Sequence, residues 1–434
     1  MAEGLRASWG QRMKGPAPTP VRQRPSLDFS LTGLLYCGIM LFMGMAAVQD
    51  QANLLFGIFG LMIGILLVSG IISRLGINRI KVRRVFPEHG VVGTTLRCVY
   101  EITNERRFWP SLSLSLAELD GVEGFARQPQ CYMLHAAAGM TASVPTELIP
   151  KRRGVHEMNR YQLGTGFPFG FVKRARIDAR VDHVLVYPAL AQVDQRLITM
   201  CRPAEMSGST IRPRHGGTDE FYGMKEFRVG DNPRWIYWRR SARTGALVMK
   251  QMTKVVPPRI LLLVDTFVPA PTPDEAEQVE RTIAMAASLA SAALGQGLSV
   301  GMLAWANGWT SLSPTRGKQQ RTDILSTLAR LPRNTEKPLH ELLRSCESYL
   351  TPGVTAVLAT PQPMEMGLNE SGRGGMVLLS AASPTARGWF RFDSGVDFRT
   401  CMPTDQQPVV KLDRSPRPPP TSPAKPQPAA AAAG

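Results

Sequence analysis

The chain is poor in the residue spacings that betray chemistry. Its 434 residues include six cysteines, at 37, 98, 131, 201, 346 and 401, and no two of them make a Cys-x-x-Cys pair. That pattern excludes a ribbon-type zinc site and a dithiol redox motif, and no disulfide framework is expected. Six histidines, at 89, 135, 156, 183, 215 and 340, show no His-x-x-x-His spacing. There is no Gly-x-Ser-x-Gly, and Gly317-Lys318 lacks both the upstream glycine-rich run and the Ser or Thr of a phosphate-binding loop. A triad assembled from distant positions leaves no such trace, so these absences exclude motifs, not catalysis as a class. No catalytic residue and no cofactor is expected.

Negative charge is also scarce, with 34 Asp and Glu against 51 Lys and Arg, for a formal net charge of +17. Charge of either sign vanishes from Phe29 to Val48 and again from Leu54 to Ile72. Each run is about as long as a ~30 Å hydrocarbon layer requires at ~1.5 Å per residue. Two such runs, separated by residues 49–53, predict a transmembrane helical hairpin rather than a cleaved signal peptide or a buried soluble hairpin. Neither run carries Asp, Glu, Lys, Arg or His, which excludes a polar transport path and leaves an anchor. Gly57, Gly60 and Gly64 permit close approach to another helix, either the first span or a second copy of the chain.

The flanks set the orientation. Arg6, Arg12, Lys14, Arg22 and Arg24 precede the first run, Arg74, Arg79, Lys81, Arg83 and Arg84 follow the second, and the connecting loop has Asp50 but no Lys or Arg. Both termini and the bulk of the chain are therefore expected on the cytoplasmic side. The scattered cysteines agree with a reducing compartment.

Residues 76–200 read as short strands. Leu96 to Thr103 partly alternates, Leu112, Leu114 and Leu116 alternate with Ser, and Val181 to Tyr187 is β-branched. Turn signals fall at 88–93, 103–107 and 164–170, so a β-sandwich-like domain is expected. Lys151-Arg152-Arg153-Gly154 falls at a strand entrance, either as a solvated turn or as a contact for anionic lipid or an acidic partner.

From Arg259 the pattern becomes α/β. Ile260 to Val264, Ser299 to Trp305, Val354 to Ala359 and Met376 to Ser380 read as buried strands. Helical stretches at 274–294, 322–331 and 339–350 separate them, which predicts a doubly wound, mostly parallel sheet. Pro- and Ala-rich sequence beyond Asp413 and the stretch before Pro25 read as disordered.

Between these parts lies Gly223 to Gln251, which holds Arg228, Arg234, Arg239, Arg240 and Arg243 beside two acids, Glu226 and Asp231, and the tryptophans 235 and 238. Five guanidiniums this close repel one another unless carboxylates or a polyanionic partner answer them. Gly230-Asp231-Asn232-Pro233 reads as a turn, with Pro233 entering a helix over 234–240 and Asp231 or Asn232 capping it. Helical spacing then places Arg234 and Trp238 on one face near Asp231. The segment is read as a rigidifying Asp-Arg-Trp cluster, as a partner or ligand surface, or as a catalytic pocket of Glu226, Asp231 and Arg243. Nucleic-acid binding through the Arg and aromatic residues is set aside for want of a groove-reading or stacking module.

Gly217, Glu220-Phe221, Glu226-Phe227-Arg228, Gly230-Asp231, Pro233-Arg234, Ile236, Trp238, Ser241-Ala242-Arg243 and Lys250 resemble the signature of the DUF58 family. The likeness extends to Lys151 to Gly154, to Gly164 to Gly170 and to Val186-Tyr187-Pro188, with Tyr237 departing from the small polar or acidic residue of the family pattern. It implies a bacterial inner-membrane protein with a von Willebrand factor A-like region and a MoxR-type AAA+ ATPase as partner. In that fold a metal would sit on a first-strand Asp-x-Ser-x-Ser. Here Asp265 is followed by Phe267 and Pro269, which offer no side-chain oxygen, so no metal is expected and Asp265 is read as a turn or helix cap or as a partner for an arginine.

The resulting expectation is an α+β multidomain chain. It has a basic tail over 1–28, the hairpin over 29–73 (spans 29–48 and 54–72) and a β-sandwich-like domain over 76–200. The signature segment over 201–256, an α/β von Willebrand A-like domain over 257–405 and a tail over 406–434 follow. The function expected is a membrane-anchored scaffold or adaptor, not an enzyme, that works in assembly or maturation of an envelope or other complex and can form a homo-oligomer. The residues expected to carry it are Glu226, Arg228, Gly230, Asp231, Arg234, Trp238, Ser241, Arg243 and Lys250.

Overall fold

The computed structural model describes residues 26–202, 215–228, 231–253, 259–269, 272–306, 308–350, 353–364, 367–369, 376–393 and 395–404. The tails expected to be disordered fall, apart from residues 26–28, outside the described residues, as does Gly230.

Strand β1 (Ser26–Phe29) leads into helix α1 (Leu31–Asp50), and helix α2 (Asn53–Ile77) follows after a two-residue break. Ser30 caps α1 by accepting a hydrogen bond from Gly33 N–H at 3.1 Å. Both helices are long and apolar enough to cross a membrane. The second runs to Ile77, beyond the expected end at residue 72, because its last turns are gripped by the body: Ser73 Oγ donates to the carbonyl of Phe167 at 2.8 Å. Two expectations are corrected. Residues 26–29 form a strand paired antiparallel with Val172–Ala175, so the basic tail does not reach to residue 28. A Cβ added at Gly57, Gly60 or Gly64 would meet nothing within 4 Å, whereas one at Gly44 would touch the Phe59 ring; the glycines of α2 are not the seam between the two helices.

The chain then forms β2 (Ile80–Val85), β3 (His89–Val91), β4 (Leu96–Asn104), β5 (Ser111–Glu118), β6 (Gln130–Ala136), β7 (Thr141–Leu148), β8 (Gly154–Thr165) and β9 (Val172–Tyr187). One sheet has the order β1-β9-β8-β5-β6 with β3 beside β9; the other is β2-β4-β7. Alternation of apolar and polar residues decides which face is buried: β2 and β4 turn Ile80, Val82, Leu96, Cys98, Tyr100 and Ile102 inward against Leu114, Leu116, Met158, Leu163 and Val184 of the larger sheet. Residues 88–93, read as a turn, contain the short strand β3, which pairs parallel with Leu185–Tyr187.

Two buried ion clusters lock this body. Arg84, with its side chain 1% exposed, binds Glu118 through two hydrogen bonds of 2.8 Å and Asp182 at 2.9 Å. Arg176 binds Asp178 at 2.6 Å and donates to the carbonyls of Ile77 and Ile80 at 3.2 and 2.9 Å, so β9 holds the chain just where it leaves α2.

Beyond it come β10 (Gln192–Val193), α3 (Gln195–Met200), β11 (His215–Glu226), α4 (Trp238–Thr244), β12 (Val248–Thr253), β13 (Arg259–Val264), α5 (Pro273–Gly295), β14 (Ser299–Trp305), β15 (Trp309–Thr315), α6 (Lys318–Arg330), α7 (Leu339–Cys346), β16 (Val354–Thr360), β17 (Gly367–Asn369), β18 (Met376–Ser380), α8 (Ala386–Trp389) and β19 (Phe390–Arg391). Strands β14, β13, β16 and β18 are parallel neighbours in that order, with β15 and β17 antiparallel at the two edges. Helix α5 begins with a capping box in which Thr272 and Glu275 satisfy each other. Residues of α5 and α6 pack with Ile260, Leu262 and Val264, while Leu342 and Cys346 of α7 pack with Leu261 and Leu263, so helices cover both faces of the sheet.

The two bodies meet at Arg153. Its side chain, 4% exposed, pairs with Glu280 of α5 and donates to the carbonyls of Leu328 and Leu331 at 3.2 and 3.0 Å, at the end of α6. Arg153 is thus neither a solvated turn nor a lipid contact. It is an internal tie, because a buried guanidinium needs a carboxylate and the negative end of a helix dipole supplies further acceptors. A second tie is the pairing of β10 with β19.

Candidate functional site

The arginine-rich segment is built as the connection of a two-stranded hairpin. Strands β11 and β12 pair antiparallel with each other, from Glu226 opposite Val248 to Phe221 opposite Met252. The connection closes tightly: Phe227 N–H donates to Leu247 O and Tyr237 N–H to Val248 O, both at 2.8 Å.

Within it, Asn232 accepts from Arg234 N–H at 3.1 Å and Pro233 occupies the first turn, as the sequence implied. The helix expected over 234–240 does not form. Instead, a 3-10 turn over Pro233–Trp235 ends at Ile236, which bridges Met249, and α4 starts only at Trp238. Pairing of Ile236 with β12 pulls the backbone extended and breaks the turn, so Arg234 and Trp238 do not share a helical face.

The proposed Asp231, Arg234 and Trp238 cluster is also corrected. Asp231 Oδ1 accepts from Lys225 Nζ at 2.8 Å and Oδ2 from the Arg228 N–H at 3.0 Å. The Lys225 hydrogen bond, then the Arg228 amide, hold the Asp231 carboxyl below its ordinary range. Trp238 is 67% exposed and Arg234 is exposed. Lys225 was missed by the sequence reading; its alternation with Met224 and Glu226 on the strand was the available signal.

Ser241 is structural. It is buried, accepts from Val248 N–H at 2.9 Å and ties α4 to β12, while Gly245 ends the helix at φ 72° and donates to Ser241 O. Lys250 Nζ stands 4.8 Å from the centre of the Tyr237 ring, so the aromatic residue that departs from the family pattern has a cationic neighbour.

What remains outward is a concentration of charge. Glu226, Arg228, Arg234, Arg239, Arg240 and Arg243 are all exposed, and among the described residues none of these five arginines makes an ion pair. With Asp231 committed to Lys225, Glu226 alone of the two local carboxylates is left to face five guanidiniums. Glu226, Asp231 and Arg243 enclose no described cavity. Two cavities lie instead at the Arg153 junction, the larger of about 330 Å³ and lined by Arg153, Glu280, Leu331 and Arg333 among others.

Asp265 lies at the carboxyl end of β13, where the strand order reverses between β13 and β16, the place at which open α/β sheets bind ligands. Its Oδ1 accepts from Phe267 N–H at 2.9 Å and its Oδ2 from the Thr360 hydroxyl at 2.8 Å. Burial pushes its carboxyl up, against the pull of those two hydrogen bonds. Asp265 therefore caps a turn, as one sequence reading held, and makes no contact with an arginine of the signature. Thr360, fully buried at the end of β16, is its partner.

The family model described as "Protein of unknown function DUF58" matches residues 223–352. No curated protein matches the chain. Among solved structures, a "Crystal Structure of beta-glucosidase from Listeria innocua" is 16% identical over 25% of this chain and 16% of that chain, with a TM-score of 0.16. The chain thus spans a small part of that protein's length, and the likeness carries no argument about fold or activity.

Proposed function

We propose, for a chain that carries the DUF58 region over residues 223–352 and two apolar helices, that it is a membrane-anchored adaptor without enzymatic activity. It offers the arginine and tryptophan surface of residues 228–243 to a soluble partner. The observation that carries this reading is the unanswered charge: five exposed arginines beside an exposed tryptophan, with the neighbouring aspartate already taken by Lys225. Exposed Trp and Arg are the residues that most often anchor protein interfaces, and clustered charge steers an oppositely charged partner. The hairpin that presents them is held by backbone hydrogen bonds and by Ser241, which keeps the surface formed before a partner arrives.

The finer assignments rest on the family resemblance. They are a bacterial inner membrane with the body on the cytoplasmic side, a von Willebrand A-like α/β domain, a MoxR-type AAA+ ATPase as partner, and a role in assembling or maturing a protein complex. The test is co-purification of the full chain, in detergent, with a MoxR-type ATPase from the same genome. Near-stoichiometric recovery that falls with Arg239→Glu plus Arg240→Glu and with rising salt supports the adaptor. Recovery that is indifferent to both overturns the surface assignment.

A further inference from the structure

The membrane side of the two-sheet body carries apolar residues that its fold does not use. Phe108 is 79% exposed, Trp109 66% and Met140 62%, although the backbones of Trp109 and Met140 are bonded to a fully buried asparagine, Asn104. The Asn104 amide donates to the carbonyls of Trp109 and Ala136 at 3.0 and 3.1 Å, and its backbone N–H donates to Met140 O at 3.0 Å. The residues flanking Asn104 are therefore fixed in place with their side chains outward, and their exposure is built in.

Their position follows from the strands. Thr165 sits against Gly76 near the end of α2, and Leu114 is its partner on β5. Ser111, at the start of β5, lies three residues further on, or about 10 Å at 3.3 Å per residue, on the side of the Gly166 to Phe171 turn. That turn touches the root of α1, where Ser30 Oγ donates to Gly170 O at 2.6 Å. Trp109 thus stands at the rim from which both helices leave the body. From the other direction, Arg106 donates twice to Asn78 O, at 2.9 and 2.7 Å, one residue past the end of α2. A ~30 Å hydrocarbon layer uses about 20 residues of α2, which places Asn78 about six residues, or ~9 Å, below it, at the depth of the lipid headgroups.

Exposed charge at this rim is mainly basic, although Asp28 also stands exposed beside the root of α1. Arg74, Arg79 and Arg107 are exposed, Arg107 lies 5.6 Å from the centre of the Phe108 ring, and the neighbouring Glu105 is already paired with Lys81. Arginine around exposed Trp and Phe suits an anionic bilayer surface, where the rings enter the headgroup and acyl boundary and the guanidiniums meet phosphate.

We propose that Phe108, Trp109 and Met140 dip into the membrane crossed by α1 and α2, with Arg79, Arg106 and Arg107 on anionic lipid headgroups, so that the body is clamped to the bilayer at a third point. The clamp rests on reading the two helices as spans, and it is independent of the surface at residues 228–243.

The test uses the full chain in nanodiscs of phosphatidylcholine with or without phosphatidylglycerol, containing lipids brominated near the headgroup end of the acyl chain, which quench nearby tryptophan. Co-elution with the discs reports on the spans alone. Given co-elution, the wild type is expected to lose a component of its fluorescence that Trp109→Ser lacks, and to lose more of it when phosphatidylglycerol is present. Arg106→Glu with Arg107→Glu is expected to remove that lipid dependence. Matched melting curves of the variants check that the fold is unchanged. Equal fractional quenching of wild type and Trp109→Ser overturns the insertion, and quenching indifferent to phosphatidylglycerol overturns the headgroup contact. Shielding of Trp109 that grows with protein concentration in detergent assigns the patch to a second copy and also overturns the proposal.

Discussion

Arg153 and Glu280 form an ion pair between the two-sheet body and the long helix of the α/β body, with side chains 4% and 15% exposed. Glu280 also receives Arg333 at 3.1 Å. Removing one member of a buried pair leaves the other as an uncompensated charge, which costs about 3 to 5 kcal/mol. Glu280→Ala is therefore expected to lower stability by that order in thermal or denaturant unfolding of the detergent-solubilised chain. Arg333→Ala, at a half-exposed cation, is expected to cost less than about 1 kcal/mol. A Glu280→Ala chain as stable as wild type would show that the junction is not held here.

Asp265 gives a pH prediction. Its folded carboxyl is raised above the ordinary 3.8 by burial, so the folded state holds the proton more tightly than the unfolded chain. Between 3.8 and the raised value, stability falls as pH rises, and above it the penalty is constant. Asp265→Asn abolishes that penalty and can keep both contacts, its amide oxygen accepting from Phe267 N–H and its NH₂ donating to Thr360. The variant is expected to melt no lower than wild type at pH 7, with the gap closing as pH falls toward 3.8. Magnesium or manganese is expected to leave the wild-type melting temperature unchanged, since both oxygens of Asp265 are engaged. A marked loss of stability in Asp265→Asn at pH 7, or a saturable metal-induced rise that Asp265→Ala abolishes, would reverse this account.

Ser241 and Trp238, three residues apart, separate structure from recognition. Ser241→Ala strands the buried Val248 N–H and is expected to cost about 1 to 3 kcal/mol. Trp238→Ala removes an exposed ring and is expected to change stability by less than about 0.5 kcal/mol while weakening partner capture several-fold. Melting curves read beside co-purification yields distinguish the two; a Trp238→Ala chain that unfolds easily would restore the buried cluster that the sequence suggested.

How far the sequence could be read depended on the range of the signal. Periodicity is local, so the apolar runs of the helices, the alternation of Leu112, Leu114 and Leu116 and the buried run Ile260 to Val264 all disclosed their elements. Partners at long separation left no such mark. Arg153 could not be told from a solvated basic turn because Glu280 is 127 positions away, and nothing local marks Thr360 as the partner of Asp265, 95 positions away. The signature segment misled for a different reason: its helical spacing is real, but pairing of Ile236 with Met249 overrides it. Local propensity gave way there to the hairpin ladder.

The orientation of the chain rests on the charge around the hairpin. Arg74 lies in the last turn of α2, basic residues 79, 81, 83 and 84 follow it, several more precede α1, and residues 49–53 hold no Lys or Arg. Translocating those flanks would move many cations across the bilayer, whereas the short loop carries one acid. An alkaline phosphatase fusion, active only outside the cytoplasm, is expected to be silent after residue 84 and active when inserted at residues 49–53. The opposite pattern would place the arginines of residues 228–243 outside the cytoplasm, away from any ATPase there, and the proposed partnership would fall with the topology. Moving three of the flanking cations into the loop is the sharper form of the test. If charge sets the orientation, the fusion after residue 84 should gain activity in that variant, while the same number of added asparagines should leave it silent.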